Sequence, residues 1–489
     1  MMACTTILVG RKASYDGSTM IARNSDSPAG SFMPKRMTVI RSSEISSTYE
    51  SVISHVNVEL PEHPMRYSSV PNVLPDEGIW AGSGVNEANV GMTATETITS
   101  NERVLGADPL LIYHKDGKET VGGIGEEDMV TLVLPYVHTA KEGAQRLGAL
   151  LEKYGTYEMN GIGFNDADEI WWLESIGGHH WIAKRVPDDA YVVMPNQLGI
   201  DSFDLKDAFG RQKDHMCSAD LKEFIQKNHL DLSLDGKFNP RDAFGSHSTA
   251  DHVYNTPRAW YIERFLNPSA CRWDGEGADC TPESDKIPWC RVPERKITVE
   301  DMKFLLSSYY QGTPYDPYGT FGDGSQRGKY RPIGVNRTDF LELVQIRPDK
   351  PEAIRSLQWI AFGSNAFNCM IPFYGSISKV PAYLADTGKE PTTDSCYWAA
   401  RILGALADAH YKSCVSAIEN YQLKVGARAW ELINAYDAQI TDDPANTALY
   451  DEAAEKMAAM LKEETQNTMS KVLYEASCHM KNAYSRSDS

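Results

Sequence analysis

Cys4-Thr5-Thr6-Ile7-Leu8-Val9-Gly10 runs into Arg11-Lys12-Ala13-Ser14-Tyr15-Asp16-Gly17 and returns as Ser18-Thr19-Met20-Ile21-Ala22-Arg23-Asn24-Ser25-Asp26. Thr5 to Val9 is a short β-prone run, Arg11 to Gly17 carries turn chemistry, and Ser18 to Ala22 reads as a second strand. A hairpin turning near Ser14 pairs positions whose numbers sum to about 28. Cys4 then lies opposite Arg23-Asn24, with Asp26 just past the strand end.

Outward from this hairpin the chain alternates between blocks. Gly161-Ile162-Gly163-Phe164, Glu169-Ile170-Trp171-Trp172-Leu173-Glu174, His180-Trp181-Ile182-Ala183 and Ala190-Tyr191-Val192-Val193-Met194 are β-prone runs with a breaker at each joint, which predicts a four-strand meander. Before it, Glu126 to Tyr154 carries Val130, Leu134, Val137, Ala144, Leu147 and Leu151 at helical spacing and stops at Gly155. Tyr397 to Tyr436 and Asp451 to Lys481 are helical in composition and period, broken at Thr441-Asp442-Asp443-Pro444. Residues 203–300 and Tyr315 to Gly328 are loop-rich. This order lacks regular βα alternation and predicts a layered α+β core with a helical C-terminal addition.

The chain has 489 residues and a net charge of −19, which argues against a nucleic-acid surface. No apolar run approaches the roughly 18 residues of a membrane span, and Met1 to Gly10 lacks the basic and apolar regions of a signal peptide. Nine scattered cysteines without a CxxC pair fit a reduced, cytoplasmic setting and no zinc ribbon. The Asn336-Arg337-Thr338 sequon then carries no glycan. The phosphate-binding Gly-Lys loop, the HExxH pair and the GxSxG elbow are all missing. Gly82-Ser83-Gly84 reads as a tight strand turn. His179-His180, adjacent on a strand, face opposite sides and share no metal, and Asp274 to Glu283 lacks calcium-loop spacing. No metal, no cofactor, no nucleic acid and no membrane are therefore expected.

Cys4 heads a β-prone strand almost at the chain start, as a small buried side chain or as a nucleophile. Arg23 and Asp26 in reach of the thiol would bias a thiolate and hold an amine. Cleavage after Ala3 would free the α-amino group of Cys4, a base with an ordinary pKa of about 7.7–8.0. Amine and thiol on one residue form a compact base–nucleophile unit that requires no histidine.

The run from Cys4 to Arg23 closely resembles the start of the bacterial dipeptidase A family, cysteine dipeptidases of the N-terminal-nucleophile hydrolase superfamily. Gly78-Ile79-Trp80-Ala81, Gly84-Val85-Asn86-Glu87-Ala88-Asn89-Val90, Thr95-Glu96-Thr97, Gly106-Ala107-Asp108-Pro109, the stretch from Gly125-Glu126-Glu127-Asp128 to Pro135, Trp171-Trp172-Leu173-Glu174, Pro195-Asn196-Gln197 and Tyr254-Asn255-Thr256-Pro257-Arg258-Ala259-Trp260 resemble the same family. The resemblance runs from Cys4 to near the C-terminus. It implies a four-layer αββα fold, with core 4–396 and a helical region 397–489 packed on it, and removal of the leader 1–3. Ala22-Arg23-Asn24-Ser25-Asp26 matches the superfamily's Ala-Arg-x-x-Asp pattern around a processed Cys, here Cys4. Asn196 corresponds to the asparagine that stabilises the oxyanion, and Arg258 to a further arginine of the site.

The implied activity is hydrolysis of dipeptides with a free amino terminus through a Cys4 acyl-enzyme. Asp108 or Glu96 is the candidate carboxylate for the substrate ammonium. Two rivals stand beside it: an N-acyl amino acid amidase like the penicillin- and bile-salt-cleaving relatives, and a non-catalytic interaction protein of the secernin type. Small peptides are the expected partners, and the expected assembly is a homo-oligomer.

Overall fold

The structure, a computed structural model, describes residues 4–93, 96–115, 117–285 and 287–480. The leader 1–3, Thr95, the side chain of Glu96 and the expected helix end at Lys481 lie outside the described residues. The opening hairpin forms from β1 (Thr5–Val9) and β2 (Thr19–Asp26). Its register places Thr5 opposite Asn24 and Thr6 opposite Arg23, one residue off the expected sum. β2 also runs on past Ala22, so Asp26 is its last residue instead of lying beyond it. The extension has a backbone cause: the strand Thr338–Ile346 pairs with the other edge of β2 from Thr19 to Asp26 and satisfies the groups exposed there.

Two antiparallel sheets result. The first runs, edge to edge, Cys290–Arg291, Tyr191–Met194, β1, β2, Thr338–Ile346, Ser356–Phe362 and Ile371–Tyr374. The second runs His215–Cys217, Trp181–Arg185, Ile170–Ser175, Asn160–Asn165, Gly91–Thr93, Ser83–Asn86, Tyr67–Ser69 and Thr38–Ile40. The expected four-strand meander is therefore three strands. Its fourth, Tyr191–Met194, crosses to the first sheet, because the corner at Pro187-Asp188-Asp189 is captured by β1. Gly10 N donates to Ala190 O at 2.9 Å and Lys12 N to Asp188 O at 2.7 Å.

The strands Gly91–Thr93 and Asn160–Asn165 lie against β2, so the sheets stack face to face and every residue of β2 is buried. The helix expected over 126–154 is interrupted. Met129–Val133 passes through a tight turn at Leu134–Tyr136, where Pro135 removes an N–H, and Thr139 caps a new helix, Ala140–Tyr154. That helix covers the second sheet from outside. Outside the first sheet lie Thr256–Leu266, Val299–Leu306 and the long helices Cys396–Asp408, Tyr411–Asp442 and Ala448–Cys478. Tyr411–Asp442 ends where Thr441-Asp442-Asp443-Pro444 breaks the pattern and Ala448–Cys478 follows it, while the helix expected from Tyr397 to Tyr436 is split between Asp408 and Tyr411. No helix among the described residues is long and apolar enough to cross a membrane.

Buried ion pairs tie tail to sheet; besides Arg401–Asp339, the clearest is Arg347–Asp437. Arg347, just after the strand Thr338–Ile346, donates to both oxygens of Asp437 at 2.7 and 3.1 Å, and Tyr374 Oη adds a bond at 2.8 Å. Breaking one partner of a buried pair costs about 3–5 kcal/mol. Asp437→Ala is therefore expected to lower the denaturant midpoint sharply and make Tyr411–Asp442 the first site of proteolysis. An unchanged midpoint would mean that apolar packing alone holds the helices.

Candidate active site

Cys4 is fully buried at the head of β1. Arg23, on β2, projects into the space between the sheets and meets it. Its Nη2 donates to Cys4 Sγ at 2.8 Å and to Glu126 Oε1 at 2.7 Å, and its Nη1 donates to Gly82 O at 3.2 Å. Glu126 sits in a turn closed by Gly125 N donating to Asp128 Oδ2 at 2.8 Å, and its own N–H donates to Glu158 Oε1 at 2.7 Å. Burial, and then the negative charge of Glu126, push the Glu158 carboxyl up to about 7. Burial and the adjacent Glu127 push Asp128 to about 7 as well.

On the other side stands Asn196, just beyond the strand Tyr191–Met194. Its Oδ1 accepts from Cys4 N at 3.2 Å, and its Nδ2 donates to Thr97 O at 2.9 Å. Arg258, in the first turn of Thr256–Leu266, joins the pieces. It donates to Asn196 Oδ1 at 2.8 Å, Thr5 Oγ1 at 2.7 Å, Asn255 Oδ1 at 2.7 Å and the carbonyl oxygen of Cys4. Asn255 returns a bond from Nδ2 to Asn196 O at 3.0 Å.

Four of the expected residues thus converge: Cys4, Arg23, Asn196 and Arg258. Asp26 is placed differently. Its carboxylate takes Thr338 Oγ1 at 2.6 Å and the guanidinium of Arg331, where β2 meets the strand Thr338–Ile346. Asp108 is engaged elsewhere: it accepts from the main-chain N–H groups of His179 and His180 at 2.8 and 3.0 Å, and both imidazole Nδ1 atoms lie on it. These contacts hold its carboxyl down to about 2 despite burial. They also correct the expectation that the two histidines face apart. Residues 177–180 form a bend between strands, so strand alternation does not apply.

Glu126 and Lys35 are residues that sequence reasoning missed. Glu126 was absorbed into an expected helix, although three successive carboxylates before an apolar run were a usable signal. The loop 78–82 supplies the remaining wall. Gly78, Trp80 and Gly82 all have left-handed φ angles, 90°, 45° and 75°. For tryptophan this is strained backbone of the kind that collects at functional sites. The strain turns Gly82 O toward Arg23 and Trp80 O toward Lys35.

A buried cysteine sulfur, two guanidinium groups and an amide converge between two sheets, and comparison with known proteins says what family this arrangement belongs to. Residues 3–424 match Peptidase family C69. The chain belongs to that family and is a peptidase. A protein of Bifidobacterium longum named dipeptidase is 54% identical over the whole of both chains. One of Streptococcus pyogenes named probable dipeptidase A is 50% identical over the whole of both. The dipeptidase A of Lactobacillus helveticus is 44% identical over 89% of this chain and 88% of its own.

Arg258 holds the carbonyl of Cys4 and the Asn196 amide through a planar fork that lysine does not reproduce. Arg258→Lys keeps the charge and is expected to cut peptidase kcat about 10²-fold or more, with KM little changed. A kcat within threefold of the parent would show that the fork does not position the site.

Proposed function

We propose that this peptidase is a cysteine dipeptidase that hydrolyses dipeptides with a free amino terminus through an acyl-enzyme on Cys4, in a four-layer αββα N-terminal-nucleophile fold. The observation that carries the reading is the double hold on Cys4: its sulfur on Arg23 at 2.8 Å and its main-chain nitrogen on Asn196 Oδ1 at 3.2 Å. The names of the B. longum and S. pyogenes relatives support the substrate class.

Removal of residues 1–3 turns the Cys4 nitrogen into a primary amine. That amine takes the thiol proton, and Sγ attacks the scissile carbonyl carbon. Arg23 favours the sulfur anion, and Asn196 Oδ1 orients the amine. Asn196 Nδ2 carries two N–H bonds, one on Thr97 O and one available to the oxyanion. Such a donor is worth about 2.7–4 kcal/mol. The ammonium returns its proton to the leaving amine as the C–N bond breaks. Water, deprotonated by the same amine, then cleaves the thioester. Arg258 is a positioning residue, and Asp26 acts at a distance by fixing the end of β2. The carboxylates that suit the substrate ammonium are Glu126, with Glu158 behind it. The core 4–396 carries this machinery, and the helical region 397–489 packs on it.

Intact mass of active protein is expected to show Cys4 as the first residue. Full activity with Ala3 still attached would remove the proposed base. The dipeptide, its N-acetyl form and a matched tetrapeptide separate the substrate classes. Free dipeptide should win in kcat/KM, because an acetylated amine leaves a carboxylate buried and unpaired. Higher rates on the acetylated compound would make the chain an amidase, and no turnover of any would favour the interaction protein.

The pH profile carries a sign. Both Glu158, pushed up to about 7, and the Cys4 amine are required deprotonated, so kcat/KM is expected to fall as pH drops below about 7. Glu158→Gln keeps an acceptor for Glu126 N and removes one of the two protons. Its acid limb should be shallower by about one proton; an unchanged limb would take Glu158 out of substrate binding.

A further inference from the structure

Beside Arg23 lies a second buried cation with a different environment. Lys35 is 2% exposed, and among the described residues the hydrogen bond of its ammonium goes to Trp80 O at 2.8 Å. Three neighbouring buried guanidinium groups each have a carboxylate: Arg23 has Glu126, Arg331 has Asp26, and Arg401 has Asp339. Lys35 has no carboxylate contact among the described residues. Asp339 and Glu126 act on it only through space, without a direct ion pair, and burial lowers its pKa to about 8, so a buried ammonium in this position gains from an anion that meets it directly. Its position is tied to the site, since Asp339, Arg23, Glu126 and Cys4 are all close enough for their charges to act on it.

A second feature points to the same place. Lys35 forms an isolated antiparallel bridge with Asn72, and residues opposite in such a bridge project to one face. Asn72 is 6% exposed, yet neither its Oδ1 nor its Nδ2 has a partner among the described residues. Buried amides are almost always satisfied, so an orphaned one is met by ordered water or by a ligand. An ammonium and an amide N–H on residues paired across one bridge can serve the two oxygens of a carboxylate. The Trp80 carbonyl, in the loop 78–82 with its left-handed backbone, accepts from the ammonium and holds it in place.

We infer that Lys35 and Asn72 form the subsite for the C-terminal carboxylate of the substrate. The inference rests on the dipeptidase reading and deepens it. Two residues in extended form span at most about 7 Å, so a dipeptide is short enough for Glu126 to hold its ammonium while Lys35 holds its carboxylate across the same sulfur. A longer peptide satisfies one end and leaves the other charge buried alone. Both ends, and not the side chains, then set the length of the substrate.

The test compares a free dipeptide with its C-terminal amide, on the parent protein, Lys35→Met and Asn72→Asp. The parent is expected to prefer the free acid by about 10²-fold or more in kcat/KM. Lys35→Met should lose that preference by slowing the acid while leaving the amide within about threefold, and its Tm should hold or rise as the unpaired charge is removed. Asn72→Asp supplies Lys35 with an internal carboxylate, which should raise Tm and abolish the preference. Equal loss on acid and amide in Lys35→Met, or a parent indifferent to the amide, would overturn the inference. Calorimetric binding of the two compounds to Cys4→Ala keeps it separate from the catalytic reading. If acid still binds better than amide, and only with Lys35 present, the subsite stands even where the acyl-enzyme mechanism fails; if neither binds differently, the subsite falls.

Discussion

The guanidinium of Arg23 is the constraint around which the rest is arranged. It is 1% exposed, between two sheets, and its bonds reach Cys4, Gly82 and Glu126. A buried guanidinium is tolerable only when its N–H groups are met, and each partner comes from a different element: the head of β1, a strained loop, and the turn before Met129–Val133. Glu342 lies directly opposite Arg23 on the neighbouring strand. Burial pushes its carboxyl up to about 8, and Gln358 Nε2 donates to it at 2.7 Å. That shift favours its neutral form, whereas Glu126 bonds Arg23 directly. A further carboxylate bonded at that distance would compete with Cys4 for the same donor.

How much of this could be read from the sequence depends on how local its cause is. The hairpin of β1 and β2 was legible because β-prone runs and turn residues sit within one short stretch. Its register was off by one because the turn, and not the strands, set the count. The extent of β2 was hidden, since it is decided by Thr338–Ile346, more than three hundred residues away in the chain. Likewise Tyr191–Met194 reads as a strand from its own residues, but the sheet it joins is chosen by hydrogen bonds to Gly10 and Lys12. Pro135 inside the expected helix is the local cause of its interruption.

The site divides the same way. Cys4 and Arg23 were found from chemistry and spacing; Asn196 and Arg258 came only with the family resemblance, because a turn asparagine and a helix arginine look ordinary alone. Asp108 looked available as a carboxylate and is consumed by two main-chain N–H groups and two imidazoles. Lys35 gave no signal at all. Nothing within Met33-Pro34-Lys35-Arg36-Met37 sets it apart, and its surroundings, Asn72 across the bridge, the Trp80 carbonyl and the Phe340 ring, come from elsewhere in the chain.

The groups shown to bond Cys4 come from outside the tail, yet the tail is not separable from them in packing. One apolar cluster runs from Ile7 and Val9 of β1 to Val472 in the last helix, passing through Leu341, Trp359 and Tyr374. β2 is held by Thr338–Ile346, that strand by Ser356–Phe362, and that one by Ile371–Tyr374, on which Tyr411–Asp442 and Ala448–Cys478 lie. Each buried ion near the sulfur is expensive in isolation, and rigid sheets are what keep its partner in place. The family match, which ends at residue 424 inside Tyr411–Asp442, does not mark a seam in this core. The helices act as backing for the strands that aim Arg23. The distance from Arg347 to Asp437 is therefore as much a part of the site's construction as the distance from Arg23 to Cys4.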